Sequence, residues 1–188
     1  MEQRRRYCRF TSGLLSLSLF IVAAVMAGPA LAQTTSVGPY YATPSWDQTL
    51  PSATRFIILS NFASAAVLDR ETGLVWERSP QTATSNWFSA RFICLNKTVG
   101  NRKGWRLPSM AELASVIDPS VGSPGPTLPA GHPFTNVLLA NYWTATTHPD
   151  APSNAWQVVV LNGNVNVTPK TDPNGVWCVR GGMNAEAY

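Results

Sequence analysis

Histidine, cysteine and closely paired carboxylates are scarce in this chain of 188 residues, which argues against most acid–base, nucleophilic or metal chemistry. Its two histidines, His132 and His148, each precede a proline in loop-like sequence, without the spacing of metal ligands. No nucleophile stands with a recognisable base, so the chain is expected to be no enzyme and to need no cofactor or metal. Internal repeats and heptads are absent. So is any apolar run long enough to span a bilayer comfortably: the longest, Leu14 to Ala27, has 14 residues.

That run belongs to a leader. Arg4, Arg5, Arg6 and Arg9 precede it, Gly28-Pro29 breaks it, and Ala30-Leu31-Ala32 is an A-x-A cleavage site. Residues 1–32 are therefore expected to be a signal peptide cleaved after Ala32. That places the chain in the periplasm or outside the cell, with no membrane anchor after cleavage. Cleavage also removes most of the excess charge. The whole chain carries +4, but residues 33–188 hold ten basic and nine acidic groups, which does not suit a nucleic-acid binder. The cysteine count falls to Cys94 and Cys178. One disulfide is expected in an exported chain of this size, two buried free thiols being the alternative.

The remaining 156 residues suit one domain. Residues 33–54 read as a linker or loosely attached arm, residues 55–182 as the domain and residues 183–188 as a tail. Phe56–Leu59 has the composition of a short strand. Ala66–Asp69 and Leu74–Glu77 form a hairpin around Arg70-Glu71-Thr72-Gly73. Thr84-Ser85 can cap a helix over Asn86–Asn96, with Trp87, Ala90 and Cys94 on one face. Ser109 and Glu112 form a capping box opening a second helix to about Asp118. Asp118 to Asn136 is a proline-rich loop of the length that is usually functional or disordered. Strands follow over Tyr142–Thr146, over Ala155–Leu161 and Val165–Thr168 across Asn162-Gly163, and over Val176–Arg180. The order predicts an α+β fold with two helices packed against a mainly antiparallel sheet.

Five segments in order carry a resemblance: Asp69-x-x-Thr72-Gly73-Leu74-x-Trp76, Gly104-Trp105-Arg106-Leu107-Pro108-Ser109, Tyr142-Trp143-Thr144, Ala155-Trp156 with the Gly163 turn, and Trp177-Cys178-Val179-Arg180-Gly181-Gly182. Together they resemble the Lcl C-terminal domain family of bacterial exported proteins, over about Phe56 to Gly182. The resemblance implies a C-type-lectin-like fold, whose relatives include sugar-binding lectins, ligand-display proteins and the formylglycine-generating enzyme. It also implies that Cys94–Cys178 is the domain-spanning disulfide of such folds.

Function is then weighed site by site. Calcium-dependent sugar binding needs several anionic oxygens. The loop from His148 to Asn154 offers only Asp150, and the late strand reads Asn164-Val165-Asn166-Val167. Formylglycine-type chemistry needs a free, accessible thiolate. The densest charge is Arg91, Lys97, Arg102, Lys103 and Arg106, sixteen residues without an acid, expected to meet an anionic ligand if they share a surface. A related domain in a collagen-like adhesin is associated with glycosaminoglycans. Loops 118–136 and 148–154 are the other candidate face. Trp76, Trp105, Trp143, Trp156 and Trp177 are expected in the core, leaving Trp46, Trp87 or Phe134 as candidate sugar platforms. The expectation is a non-enzymatic binding or adhesion module for a glycan or surface polymer. Its rivals are a structural component of an envelope assembly and a formylglycine-generating-type enzyme.

Overall fold

The computed structural model describes residues 49–182. The segment expected as leader, the candidate platform Trp46 and the expected tail lie outside them.

A one-turn helix, α1 (Ser52–Arg55), leads into β1 (Phe56–Ile58), so regular structure begins inside the stretch expected as linker. The first hairpin forms as its sequence predicts, from β2 (Ala66–Asp69) and β3 (Val75–Glu77). Gly73 closes it at φ 71°, its N–H donating to Asp69 O at 2.8 Å. β4 (Gln81–Ser85) follows, a strand the sequence does not announce because it contains no large apolar residue. It pairs with a later strand through an irregular register.

Helix α2 (Trp87–Asn96) buries Trp87, Ala90 and Cys94, one face at helical spacing. Its cap is Asn86, whose side chain accepts from Ser89 N at 2.9 Å. The expected cap, Thr84-Ser85, is instead committed to β4. After the short β5 (Trp105–Arg106), α3 (Met110–Ala114) starts on the reciprocal Ser109–Glu112 box. It stops four residues short of Asp118. Arg55 Nη2 takes the Ser115 carbonyl at 2.7 Å, and Asp118 N donates to Thr127 O at 2.9 Å, so the next turn has no ladder to join.

The long loop is neither loose nor free for a ligand along its whole length. Gly125 N and Thr127 N donate to Leu161 O and Val160 O, and Leu128 and Phe134 enter the core. Phe134 is 5% exposed and Trp87 4%, so neither is a sugar platform. Trp156 departs from its expectation in the opposite sense: it is half-buried, with the His148 ring 5.4 Å away.

The second half supplies β6 (Asn141–Thr147), β7 (Asn154–Val159), β8 (Val165–Pro169), β9 (Asn174–Val176) and β10 (Val179–Arg180). Two five-stranded sheets result, in the orders β1-β2-β3-β10-β5 and β4-β9-β6-β7-β8. The fold is α+β, with few helices and mostly antiparallel pairing; β6 with β9 is parallel. The expected single strand Val176–Arg180 is two strands in different sheets. Trp177 and Cys178 carry the chain between them, fully buried. Trp177 meets Trp76, Phe134 and Tyr142 at ring separations of 5.4, 5.0 and 5.8 Å, and its Nε1 donates to Glu77 O at 2.9 Å. Cys178 is bonded to Cys94, Cα–Cα 5.5 Å, which fastens α2 to this crossing.

Candidate functional site: the basic turn and its cavity

Chain geometry after α2 separates the five sequence-selected cations into different jobs. Lys97 places Nζ 2.6 Å from Glu77 Oε1, while Glu77 Oε2 accepts from Cys178 N at 2.9 Å. Arg106 makes a two-pronged pair with Glu112 at 2.7 Å and donates to Gly181 O and Leu107 O. These two hold the fold. Arg91 sets its guanidinium 4.7 Å from the Trp87 ring centre. Arg102 and Lys103 are exposed.

The turn bearing those last two is rigid for reasons visible in its sequence. Val99 and Arg102 exchange backbone hydrogen bonds at 3.1 and 3.2 Å, and Gly100 and Asn101 between them have φ 57° and 59°. A side chain on Gly100 would meet Phe62 Cα at 2.4 Å, so glycine is required there. Trp105 Nε1 donates to Arg102 O at 2.8 Å, Arg180 Nε donates to Lys103 O at 2.9 Å, and the Arg102 guanidinium lies 4.9 Å over the Phe62 ring. Two solvated cations thus sit on a fixed backbone.

Beside this turn is a cavity of about 480 Å³, in whose wall Gly100, Glu77, Arg78, Ser64 and Thr135 take part. Arg78 is held there by Pro133 O and Ser64 O at 3.2 and 3.4 Å. Among the described residues, four non-glycine residues have positive φ: Ala63, Ser64, Asn101 and Asn136. The first two line the cavity, and the others adjoin its lining residues Gly100 and Thr135. Unfavourable backbone collected around one concavity is the pattern of a pre-shaped site. The sequence does not expose it, since its walls come from four separate segments.

Burial pushes the Glu77 carboxyl above the ordinary range, although Lys97 and the Cys178 amide pull the other way. Lys97 is therefore a structural partner of Glu77. Lys97→Met should destabilise the domain by about 2–4 kcal/mol by orphaning a buried carboxylate. Because the folded state then holds the Glu77 proton more tightly than the unfolded chain, stability falls as pH rises from the ordinary carboxyl value through the raised one. Urea unfolding should show a larger loss at mildly alkaline than at mildly acidic pH, and adding Glu77→Gln should remove the difference. A pH-independent loss would contradict the pairing.

Lys170 is a cation that sequence reasoning missed. It is 9% exposed, with Nζ 4.0 Å from the Trp87 ring centre and 2.9 Å from Thr147 Oγ1. Burial, then the nearby Arg91, lowers its pKa. No local pattern signals it, since it lies at the end of an otherwise ordinary hairpin. Among the described residues, no three His, Cys, Asp or Glu side chains gather as metal ligands.

Residues 65–180 match the Lcl C-terminal domain family. The chain belongs to that family. A comparison with curated proteins finds no match. The segments that mark this Lcl C-terminal domain turn out to frame the fold. Asp69 accepts from Arg55, Glu71 N and Thr72 Oγ1, which fixes the first hairpin. Gly182 lies so close over the Arg106–Glu112 pair that an added Cβ would be 3.1 Å from Glu112 Oε1 and 3.2 Å from Arg106 Nη2.

Proposed function

We propose that this chain is an exported, non-enzymatic binding module of C-type-lectin-like fold that takes an anionic glycan or surface polymer at the Arg102–Lys103 turn and the cavity beside it. The observation that carries the reading is the pinned turn: two exposed cations whose backbone is already fixed, so that little ordering cost is added on binding. The cavity adds hydroxyls from Ser64, Ser79, Thr98 and Thr135, suited to a polyhydroxylated ligand. A non-enzymatic role is supported by the Cys94–Cys178 bond, which leaves neither thiol available as a nucleophile. Export is supported by the same bond and by the leader-like residues 1–32.

A glycan array including sulfated, carboxylated and neutral members, run with and without calcium, tests this. Binding should favour the anionic members and weaken steeply from low to physiological salt. Arg102→Ser with Lys103→Ser should weaken it roughly tenfold, since exposed ion contacts are individually small. Thermal stability should hardly change, because both side chains are exposed. Undiminished binding by that double variant would remove the turn from the site.

A further inference from the structure

The outer face of α2 is unpartnered and apolar. Phe88, Phe92 and Leu95 are 63%, 68% and 62% exposed, at spacings of four and three residues. Those spacings place all three within about 60° of arc on one side of the helix, opposite the buried Ala90 and Cys94. Three of the large exposed side chains thus share about two helical turns, where scattered ones would need no explanation. The helix beneath cannot yield, because Cys94 ties it to the buried sheet crossing.

What covers this stripe is indicated by its surroundings. From Glu77 to Glu112, both included, the sequence holds six cations and two carboxylates. Those two carboxylates are already consumed, by Lys97 and Arg106. The stripe therefore stands in a segment with no unmatched negative charge, and the turn with Arg102 and Lys103 follows from the C-terminal end of the same helix. Area argues against a second protein copy. Three side chains at these exposures offer about 350 Å², less than half of the roughly 800 Å² that each partner gives to a stable interface. An exposed apolar ridge of aromatic and leucine side chains, with cations in the turn that follows, offers what the apolar face of a helix at a membrane interface offers.

We propose that the exposed face of α2 docks on an anionic lipid bilayer, with Phe88, Phe92 and Leu95 entering the headgroup–acyl boundary and the neighbouring cations facing the headgroups. This goes beyond the glycan reading and does not rest on it. The contact is peripheral: no described helix is long and apolar enough to cross a membrane.

The test is flotation of the full chain, lacking only its leader, with vesicles of phosphatidylcholine containing a minority of phosphatidylglycerol, and with vesicles of phosphatidylcholine alone. The protein should float with the anionic vesicles and far less with the neutral ones. Phe88→Ser, Phe92→Ser and Leu95→Ser combined should reduce the bound fraction at least roughly tenfold. Phe92→Ser alone should give a smaller loss, which keeps the test valid if the triple variant folds poorly. The triple variant should still bind anionic glycans as the unaltered protein does, whereas Arg102→Ser with Lys103→Ser should lose glycan binding and give only a partial loss of flotation with the anionic vesicles. Equal flotation of the triple variant, or none by the unaltered protein, overturns the proposal. So does a micromolar dimer in sedimentation velocity that the stripe substitutions dissolve, since the stripe would then belong to a second copy.

Discussion

Asp69→Ala should lower the stability of the domain by about 3–5 kcal/mol, the cost of breaking a buried ion pair from one side. Asp69 is fully buried and accepts four hydrogen bonds: from Arg55 Nε and Nη2 at 2.9 Å each, from Glu71 N at 3.0 Å and from Thr72 Oγ1 at 2.9 Å. Its removal leaves the Arg55 guanidinium, 8% exposed, with Glu71 and the Ser115 carbonyl as its remaining partners. It also frees the hairpin turn, whose Glu71 N–H and Thr72 hydroxyl lose their acceptor. Since about 1 kcal/mol shifts the midpoint by a few degrees in a domain of this size, melting should fall by roughly 10–20 °C. Arg55→Met combined with Asp69→Leu should recover part of that loss, because no charge is then left at the fully buried position. The rest stays lost because half-buried Glu71 has no cation and Glu71 N and Thr72 Oγ1 have no acceptor. A loss from Asp69→Ala below about 1 kcal/mol would mean that the Arg55–Asp69 pair does not organise the hairpin.

The second large effect is expected from the disulfide. Cys94 and Cys178 close a loop of 84 residues, which the chain-entropy account values at about 4–5 kcal/mol. Both cysteines are fully buried, so reductant should act on the native protein only through rare opening, and alkylation of the native protein should label neither. Cys94→Ser with Cys178→Ser should melt roughly 10–20 °C lower, measured side by side with the parent. Finding two free thiols in the native protein by mass spectrometry would refute the bridge. The double serine variant should keep the Cys178-position amide bond to Glu77, because the backbone N–H makes it.

Local pattern was informative where structure is decided locally. Gly73, the Asn162-Gly163 turn and the Ser109–Glu112 box each set their elements because turns and caps are chosen by a few adjacent residues. The buried face of α2 followed from its periodicity, and the cysteine count anticipated the bridge. β4 stayed hidden because Gln81–Ser85 has no large apolar side chain and is held by pairing with β9. Val176–Arg180 looked like one strand, since a buried crossing and a buried strand share the same run of apolar residues. The basic segment misled for a related reason. Its window contains no acid, yet the acids at its borders, Glu77 and Glu112, fold back to claim Lys97 and Arg106. Partners distant in sequence leave no mark on a charge pattern.

The Cys94–Cys178 bond also decides how the molecule would respond to being pulled. Tension applied at residues 49 and 182 enters Cys94 from one side and leaves Cys178 on the other through a covalent link. The chain between them, spanning a sequence separation of 84, carries none of it. The Arg102–Lys103 turn lies within that interval, as do α3 and the strands β6 to β9, of which β9 pairs with β4. Only α1, the β1–β3 meander, β4, most of α2 and β10 can be drawn out before the bond itself is loaded. A module gripping a surface through that turn would lengthen under drag with the turn kept out of the line of force, while giving up the contacts that Phe62 and Arg180 make to it.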